Sequence, residues 1–268
     1  MISVIIPMYN AGEVVLNAIN SVMHQTYQGK IEIILIDDGS TDNSYDIVNN
    51  YIKNISNKNI DIKVISQKNM GVASARNRGI SQTIGEWIAL LDHDDVWLPT
   101  KIEKQMKVIK NNPNIKFIGC NVNNDKYPFF GKKNHAIFTL NAKELIIKWY
   151  PSTPTILVNR QFILDNGLFF DDNKKYGEDI DWLLRICLHT NLYILNDNLV
   201  VIGNGKRPYG DKGLSANLSK MYNGEILTLN GAKERNQINN LEYICFCGYL
   251  FLKYIRRIII TKWHKMTK

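Results

Sequence analysis

A cluster of acidic residues stands at the end of a hydrophobic run in the first half of the chain. The run Trp87–Leu91 has the composition of a buried strand, and Asp92, His93, Asp94 and Asp95 follow it directly. Because ligands of open α/β sheets bind at the carboxyl ends of the strands, the cluster lies where a ligand would bind. Crowded carboxylates repel one another unless a cation compensates them, and Mg²⁺ or Mn²⁺ also binds phosphates. The cluster indicates a metal–diphosphate site, and the alternative is an acidic loop that caps a helix.

Three further groups of polar residues follow predicted strands or begin a predicted helix. The segments Pro7–Asn10 and Asp37–Ser40 each come after a hydrophobic run, and Glu178 and Asp179 open a helical pattern. Carboxylates at the start of a helix are stabilised by its dipole, which alone could account for the last pair. Chance could explain each placement singly, but the groups together indicate one functional edge of a sheet.

Short hydrophobic runs alternate with amphipathic segments over most of the chain. We predict strands at 2–6 (ended by Pro7), 31–36, 62–65, 87–91, 115–120, 155–158, 192–195 and 199–202. This alternation predicts an α/β fold with a mostly parallel central sheet and helices on both faces. The segments 121–135 and 203–218 are polar and are predicted to be loops.

The composition is that of a globular protein, with 45% hydrophobic and 22% charged residues among 268. The net charge of +8 is concentrated in residues 241–268, where six Lys or Arg residues accompany a single Glu, so no nucleic-acid partner is expected. The four cysteines lack zinc or redox spacing and are predicted to be reduced packing residues. The N-terminus lacks the basic leader of a signal peptide, from which we expect a cytoplasmic protein.

Taken with Gly71–Asn77, the strand-end groups resemble those of family 2 glycosyltransferases, which have the Rossmann-like GT-A fold. The resemblance is of the type that assembles bacterial surface polysaccharides such as O-antigen (lipopolysaccharide) or capsule. It implies a catalytic domain over residues 1–205, with a nucleotide-sugar half at about 1–120 and an acceptor half at about 121–205. The nucleotide-sugar half matches the family almost motif for motif, while the acceptor half matches only around Glu178.

The resemblance implies an inverting hexosyltransferase that takes its sugar from a nucleoside diphosphate, most often UDP. Pro7 and Tyr9 would line the donor site, with the ring of Tyr9 stacked on the base. Asp38 would accept a hydrogen bond from uracil, Arg76 would reach the base or the diphosphate, and Asp92 would lie near the ribose. The alternatives are a surface tyrosine, a turn-forming aspartate and a solvated helix arginine.

The resemblance also implies a metal ion and a catalytic base. Asp94, with Asp92 as its partner, would coordinate Mn²⁺ or Mg²⁺ on the diphosphate, and Asp179 would take the proton of the acceptor hydroxyl. Glu178 is the rival for the base and would otherwise contact the acceptor. Trp182, one helical turn further on, would stack on an acceptor sugar, and a core tryptophan is the alternative.

The C-terminal part is expected to contain a flexible loop and connecting helix at 206–240, followed by a basic amphipathic tail at 241–268. The apolar part of the tail is too short and too charged to span a bilayer, but it suits a membrane interface. Such a tail fits a saccharide acceptor on a polyprenyl diphosphate lipid, at the cytoplasmic leaflet of the inner membrane. The alternative is a helix packed on the domain, and a homodimer stays open.

Two other functions share parts of this pattern. An inactive sugar-nucleotide-binding or scaffold subunit at the membrane would keep the sheet without turnover, but the intact acidic set argues against it. A sugar nucleotidyltransferase would need a glycine-rich, basic loop near the N-terminus. The segment Pro7–Gly12 contains one glycine and no basic residue, so this function is disfavoured.

Overall fold

The computed structural model describes residues 1–53, 55, 58–123, 132, 135–203, 209 and 213–266. The predicted loop at 121–135 falls largely outside these residues, and the predicted loop at 203–218 falls partly outside them.

Within the described residues, nine strands form one sheet. They are β1 (Ile2–Met8), β2 (Ile31–Asp37), β3 (Ile60–Ser66), β4 (Trp87–Leu90), β5 (Val96–Trp97), β6 (Phe117–Val122), β7 (Ile137–Leu140), β8 (Leu157–Asn159) and β9 (Leu192–Val201). Their order is β3-β2-β1-β4-β8-β6-β9-β5, and β7 also pairs with β9. Strands β5, β7 and β8 run opposite to the other six. The predicted α/β fold with a mostly parallel sheet is confirmed.

Nine helices accompany the sheet in the part of the chain that the structure describes. They are α1 (Val14–Met23), α2 (Ser44–Lys53), α3 (Val72–Gln82), α4 (Lys101–Asn111), α5 (Ala142–Lys148), α6 (Arg160–Asp165), α7 (Glu178–Ile186), α8 (Leu218–Glu234) and α9 (Asn240–Met266). A capping box begins α5, since Asn141 and Glu144 exchange side-chain-to-backbone hydrogen bonds.

The hydrophobic core lies on both faces of the sheet, because successive side chains of a buried strand point to opposite faces. In β1, Val4 and Ile6 pack with α1, α2 and α4 on one face. Ile5 packs on the other face, in a cluster that also contains residues of α3 and of α5 to α9. Near-continuous apolar strands such as β1 and β2 are explained by this double burial.

The predicted end of the first strand at Pro7 is wrong. Strand β1 continues to Met8, and Pro7 pairs in register with Ile36 of β2. The ladder between β1 and β4 reaches only Ile5, so the missing N–H of Pro7 interrupts no pairing with β4. Strand β1 therefore ends two residues later than the sequence predicts, and Tyr9 follows its last residue directly.

Two glycines bring α8 against the start of α7. Gly177, the N-cap residue of α7, has a φ of 75°, and a Cβ there would lie 2.9 Å from Thr228 Oγ1. A Cβ on Gly224 of α8 would lie 2.6 Å from the carbonyl oxygen of Tyr176. The backbone of α8 thus touches the residues that precede Glu178.

Helix α9 is the longest helix of the described chain, with 27 residues. It packs against α8 through buried residues such as Leu250. None of the helices in the described segments combines the length and the apolar character that a membrane crossing requires.

Candidate active site

The ends of β1 and β2 are tied together at the carboxyl edge of the sheet. Asn10 has a φ of 48°, and its side-chain oxygen accepts a 2.8 Å hydrogen bond from the Thr41 N–H. The Asn10 N–H donates to Ser40 Oγ, and the Ser40 N–H donates to the Asp37 carboxylate. Asp37 therefore supports the turn. Tyr9 stands beside this junction with 45% of its surface exposed, which leaves its ring accessible.

The Asp38 carboxylate organises the loop that leads into α3. It is 4% exposed and accepts hydrogen bonds from Gln67 Nε2 and from the N–H groups of Met70 and Gly71, at 2.8 to 2.9 Å. Because a carboxylate accepts about four hydrogen bonds, roughly one position is left for a ligand. The turn-forming role of Asp38 is thus present, and its contact with a donor base stays a prediction.

Arg76 lies at the centre of the site. Its guanidinium is 4% exposed and donates from Nη2 to Asp92 Oδ1 at 2.8 Å and from Nη1 to Glu178 Oε1 at 3.2 Å. Its Cζ lies 5.3 Å from the centre of the Phe170 ring. The alternative of a solvated helix arginine is excluded by this burial. We call Asp92, Glu178 and Asp179, which surround Arg76, the carboxylate cluster.

Burial and mutual repulsion shift the protonation of the carboxylate cluster. Burial, with the charge of Asp179, raises the pKa of Glu178 to about 7, although Arg76 opposes the shift. Burial also raises the pKa of Asp179, with Asp92 adding to the effect and Arg76 opposing it. Burial lowers the pKa of Arg76, but the charges of Asp92 and Glu178 outweigh it and keep that pKa raised. One cation therefore compensates three carboxylates incompletely.

The two acidic residues at the start of α7 differ in their surroundings. Glu178 is buried, and one of its oxygens is held by Arg76. Asp179 is partly exposed, and its Oδ1 accepts a 2.8 Å hydrogen bond from the Ile180 N–H. The Asp179 carboxylate is thus bound by the backbone of its own helix, whereas the Glu178 carboxylate is bound by Arg76.

The acidic turn after β4 connects to the segment after β9. Asp95 is 7% exposed, and its Oδ1 accepts a 2.8 Å hydrogen bond from the Gly203 N–H. Asp94 borders a cavity of 360 Å³ between α1 and β5, which Asn17 and His24 also line. Asp95 orients the turn, while Asp92 and Asp94 stand on either side of His93.

The residues of this turn fit a divalent metal that arrives with a diphosphate. No group of three His, Cys, Asp or Glu residues within the described ranges forms a complete metal site. Mg²⁺ commonly takes one or two carboxylates and completes its shell with waters and substrate phosphates. Asp94 and the Asp92 oxygen that does not bind Arg76 supply such a pair, two residues apart in one turn.

Two predicted contacts must be revised. Trp182 is 1% exposed; its indole stacks on Phe170 with ring centres 4.4 Å apart, and its N–H donates to the Leu168 carbonyl. The prediction that it stacks on an acceptor sugar is wrong, because its ring lies in the core. Pro7 is buried within β1, so its ring belongs to the sheet rather than to an open cleft.

The sequence pattern does not indicate the residues that pack against Arg76 and α7. Phe170 contacts both Arg76 and Trp182, and Asn77 exchanges two hydrogen bonds with the Phe170 backbone at 2.8 and 2.9 Å. Asp181 forms a second ion cluster on α7. Asp181 and Arg185 are four residues apart on one helix, a spacing that a sequence can indicate. The contacts between Asn77 and Phe170 join segments 93 residues apart, which no local pattern indicates.

Solved structures of glycosyltransferases share this architecture. TarS of S. aureus (residues 1–349), in complex with UDP-GlcNAc, matches with a TM-score of 0.71 at 17% identity, over 93% of this chain and 71% of that chain. The mannosyltransferase PcManGT from Pyrobaculum calidifontis, in complex with GDP-Man and Mn²⁺, matches with a TM-score of 0.70 at 17% identity, over 94% and 70%. The fold is therefore that of the GT-A glycosyltransferases.

Sequence relatives give the family. The model of glycosyl transferase family 2 matches residues 3–168. An uncharacterized glycosyltransferase of Rickettsia conorii is 36% identical over 181 residues, which are 66% of this chain and 28% of that protein. Glycosyltransferase GlyG of Streptococcus pneumoniae is 30% identical over 213 residues, which are 74% of this chain and 69% of GlyG. The chain belongs to glycosyl transferase family 2, and it spans 28% and 29% of two of its Rickettsia relatives.

Proposed function

We propose that this chain moves one sugar from a UDP-sugar to an acceptor hydroxyl, with inversion at the anomeric carbon. The observation that carries the proposal is the Arg76 bridge. It holds the acidic turn, which contains Asp92, against the first turn of α7, which contains Asp179. The group proposed to bind the diphosphate and the group proposed to accept the proton would thus share one site.

Asp179 is the general base of the proposed reaction. The acceptor oxygen bonds to the anomeric carbon while the bond from that carbon to the phosphate oxygen breaks; UDP leaves and Asp179 takes the hydroxyl proton. Its raised pKa suits this role, because a base is most effective when its pKa approaches the working pH. The ion pair between Glu178 Oε1 and Arg76 favours Asp179 over Glu178 as the base, because Glu178 is already engaged by a cation.

The donor site uses the remaining residues at this edge. The exposed ring of Tyr9 would stack on the base, and Asp38 would accept its N–H. Asp94 and Asp92 would hold Mn²⁺ or Mg²⁺, which neutralises the charge that develops on the departing diphosphate. The two similar structures support this assignment, since TarS was solved with UDP-GlcNAc and PcManGT with GDP-Man and Mn²⁺.

The acceptor is proposed to be a saccharide on a polyprenyl diphosphate lipid, met at the cytoplasmic leaflet of the inner membrane during surface polysaccharide assembly. The support is an exposed line of apolar residues along α9, which we call the apolar ridge: Leu241, Ile244, Leu252, Ile255, Ile259, Trp263 and Met266. Helical periodicity sets exposed Arg256 and Lys262 beside this ridge, an arrangement that suits anionic lipid headgroups.

Not all of the basic residues in 241–268 are available to lipid. Arg257 is 8% exposed and donates to Glu225 Oε1 of α8 at 2.7 Å. Lys253 Nζ lies 3.8 Å from the same oxygen and 5.0 Å from the centre of the Trp149 ring. These two cations fasten α9 to α8, so membrane binding is assigned to the apolar ridge and its rim.

A transfer assay tests the proposed function. The protein is incubated with Mn²⁺, a panel of UDP-sugars and synthetic lipid diphosphate-linked saccharides, and both released UDP and extended lipid are measured. UDP release that depends on acceptor, with a product one sugar heavier, supports transfer. Donor binding without turnover under every condition would favour the scaffold subunit instead.

Vesicle binding tests the membrane assignment separately. The double variant Leu252→Ser and Ile259→Ser is compared with Ile84→Ser, which changes an exposed isoleucine outside α9. Vesicles of phosphatidylethanolamine and phosphatidylglycerol should retain the wild type and the Ile84 variant, but release the double variant. Unchanged sedimentation of the double variant would remove the ridge as the anchor.

A further inference from the structure

One buried guanidinium joins the two halves of the site. Arg76 comes from α3, its partner Asp92 follows β4, and its other partner Glu178 begins α7. We propose that Arg76 is a positioning residue that fixes the first turn of α7 relative to the acidic turn. It acts through Asp92 and Glu178. The inference rests on the proposed function, since it assigns Asp179 as the group being positioned.

The surroundings of Arg76 support a role in holding position. The guanidinium lies over the Phe170 ring, and that ring stacks on Trp182 inside α7. The neighbour of Arg76, Asn77, holds the Phe170 backbone with two hydrogen bonds. Helix α3 thus contacts α7 directly through the ion pair of Arg76 with Glu178, and indirectly through Phe170, which stacks on Trp182. Both contacts flank Asp179 along α7, so both restrict where its carboxylate can lie.

The hydrogen bonds of Arg76 also argue for two simultaneous partners. Each terminal nitrogen donates to a different carboxylate, while the buried Nε–H has no hydrogen-bond partner among the described residues. Arginine provides a planar fork that can hold two carboxylates at a fixed angle, whereas lysine provides a single charged point. Only arginine can therefore keep both Asp92 and Glu178 in place at this position.

Positional control matters because transfer depends on the distance between reacting atoms. A displacement of about 1 Å at a reacting group can slow an enzyme by about 10²-fold. Arg76→Lys should therefore lower kcat by about 10²-fold. The Kd for UDP and the KM for the sugar donor should rise by smaller factors, through the displacement of Asp92. A residue that binds the donor directly would weaken UDP binding instead.

The experiment compares Arg76→Lys with Arg78→Lys, since Arg78 lies exposed on the same helix. Kinetics are measured with donor and acceptor, UDP affinity by calorimetry, and folding by Tm. A third variant, Glu178→Gln, and its combination with Arg76→Lys complete a double-mutant cycle. If Arg76 acts through Glu178, the double variant should be little slower than the slower single variant. Additive losses, or weakened UDP binding with unchanged kcat, would overturn the proposal.

Hydrogen exchange gives a readout that needs no turnover. Peptides that cover the first turn of α7 should exchange faster in Arg76→Lys than in the wild type, while peptides from α1 should not change. Arg78→Lys should leave both regions protected. Unchanged protection of α7 in Arg76→Lys would overturn the positioning role, whatever the transfer assay shows. An inactive wild type with deprotected α7 in Arg76→Lys would count against the proposed function but not against the bridge.

Discussion

Helix α7 carries two ion clusters with opposite compositions. In the carboxylate cluster, three acids share Arg76, and the pKa values of Glu178 and Asp179 are raised. Two residues further along, Asp181 is 2% exposed and is bound by three cations, which we call the cation cluster: Lys174, Arg185 and Arg235. Hydrogen bonding and charge from these cations, Lys174 first, lower the pKa of Asp181 although burial opposes the shift.

The two clusters show that the ratio of cations to carboxylates, rather than the position on the helix, decides whether the pKa of a buried carboxylate is raised or lowered. Glu178, Asp179 and Asp181 all lie in the first turn of α7, where the helix dipole favours negative charge. Asp181 has an excess of cations and is held as a permanent anion. The carboxylate cluster has one cation for three carboxylates, and burial together with their mutual repulsion raises the pKa values of Glu178 and Asp179.

Asp179→Asn should have the largest effect, because asparagine keeps the shape and removes the base. We expect transfer to fall by about 10²–10⁴-fold with little change in the Kd for UDP. Turnover and calorimetric titration with UDP provide the measurement. Near-normal turnover would move the base to Glu178.

Asp181→Asn should instead reduce stability. Removing one partner of a buried ion cluster leaves its cations uncompensated and costs about 3 kcal/mol. The Tm should then fall by roughly 6–12 °C. Turnover per folded molecule, measured well below the new Tm, should stay close to that of the wild type. A large loss of turnover with an unchanged Tm would contradict the structural role of this cluster.

The pH dependence should separate the two clusters without any mutation. Burial raises the pKa of Asp179, so protonation of this base should lower activity by about tenfold per pH unit below that raised pKa. Asp181 has a lowered pKa, so its stabilisation is present above its unfolded-state pKa and is lost only as the pH falls through the lowered value. As the pH falls, turnover should therefore decline while the protein is still folded. Parallel loss of Tm and kcat would contradict this separation.

Trp182→Phe should have the smallest effect. The change removes the hydrogen bond to the Leu168 carbonyl and part of the stacking on Phe170, at about 1–2 kcal/mol of stability. The KM for the acceptor should not change. A clear rise in that KM would restore the prediction that Trp182 contacts the acceptor sugar.

The sequence predicts what lies at the strand ends better than what lies between elements. Tyr9 and Asp38 follow β1 and β2, and Asp92 follows β4, as the hydrophobic runs indicate. The partnership of Arg76 with Glu178 spans 102 residues and has no local pattern. The helical position of Trp182 was predictable from spacing, but the side of α7 that meets the core depends on Phe170 from another segment.

The same limit applies to the basic residues of α9. Composition alone treats Lys253, Arg256 and Arg257 as one positive group. The structure divides them, because Glu225 of α8 binds Arg257 and approaches Lys253, whereas Arg256 remains exposed. The partner of the inward pair is a single glutamate in another helix, which the charge pattern of 241–268 cannot indicate.

The close contact of Gly177 and Gly224 limits where this protein can be truncated and which relatives can supply α8 in a chimera. The family match ends at residue 168, yet α8 touches the backbone directly before the carboxylate pair. A fragment that stops at residue 205 would leave that backbone without its support. A chimera that takes α8 from a relative must bring a glycine to position 224, since any side chain there would collide with Tyr176. The smallest exchangeable unit thus includes α8, together with the sheet that carries the site.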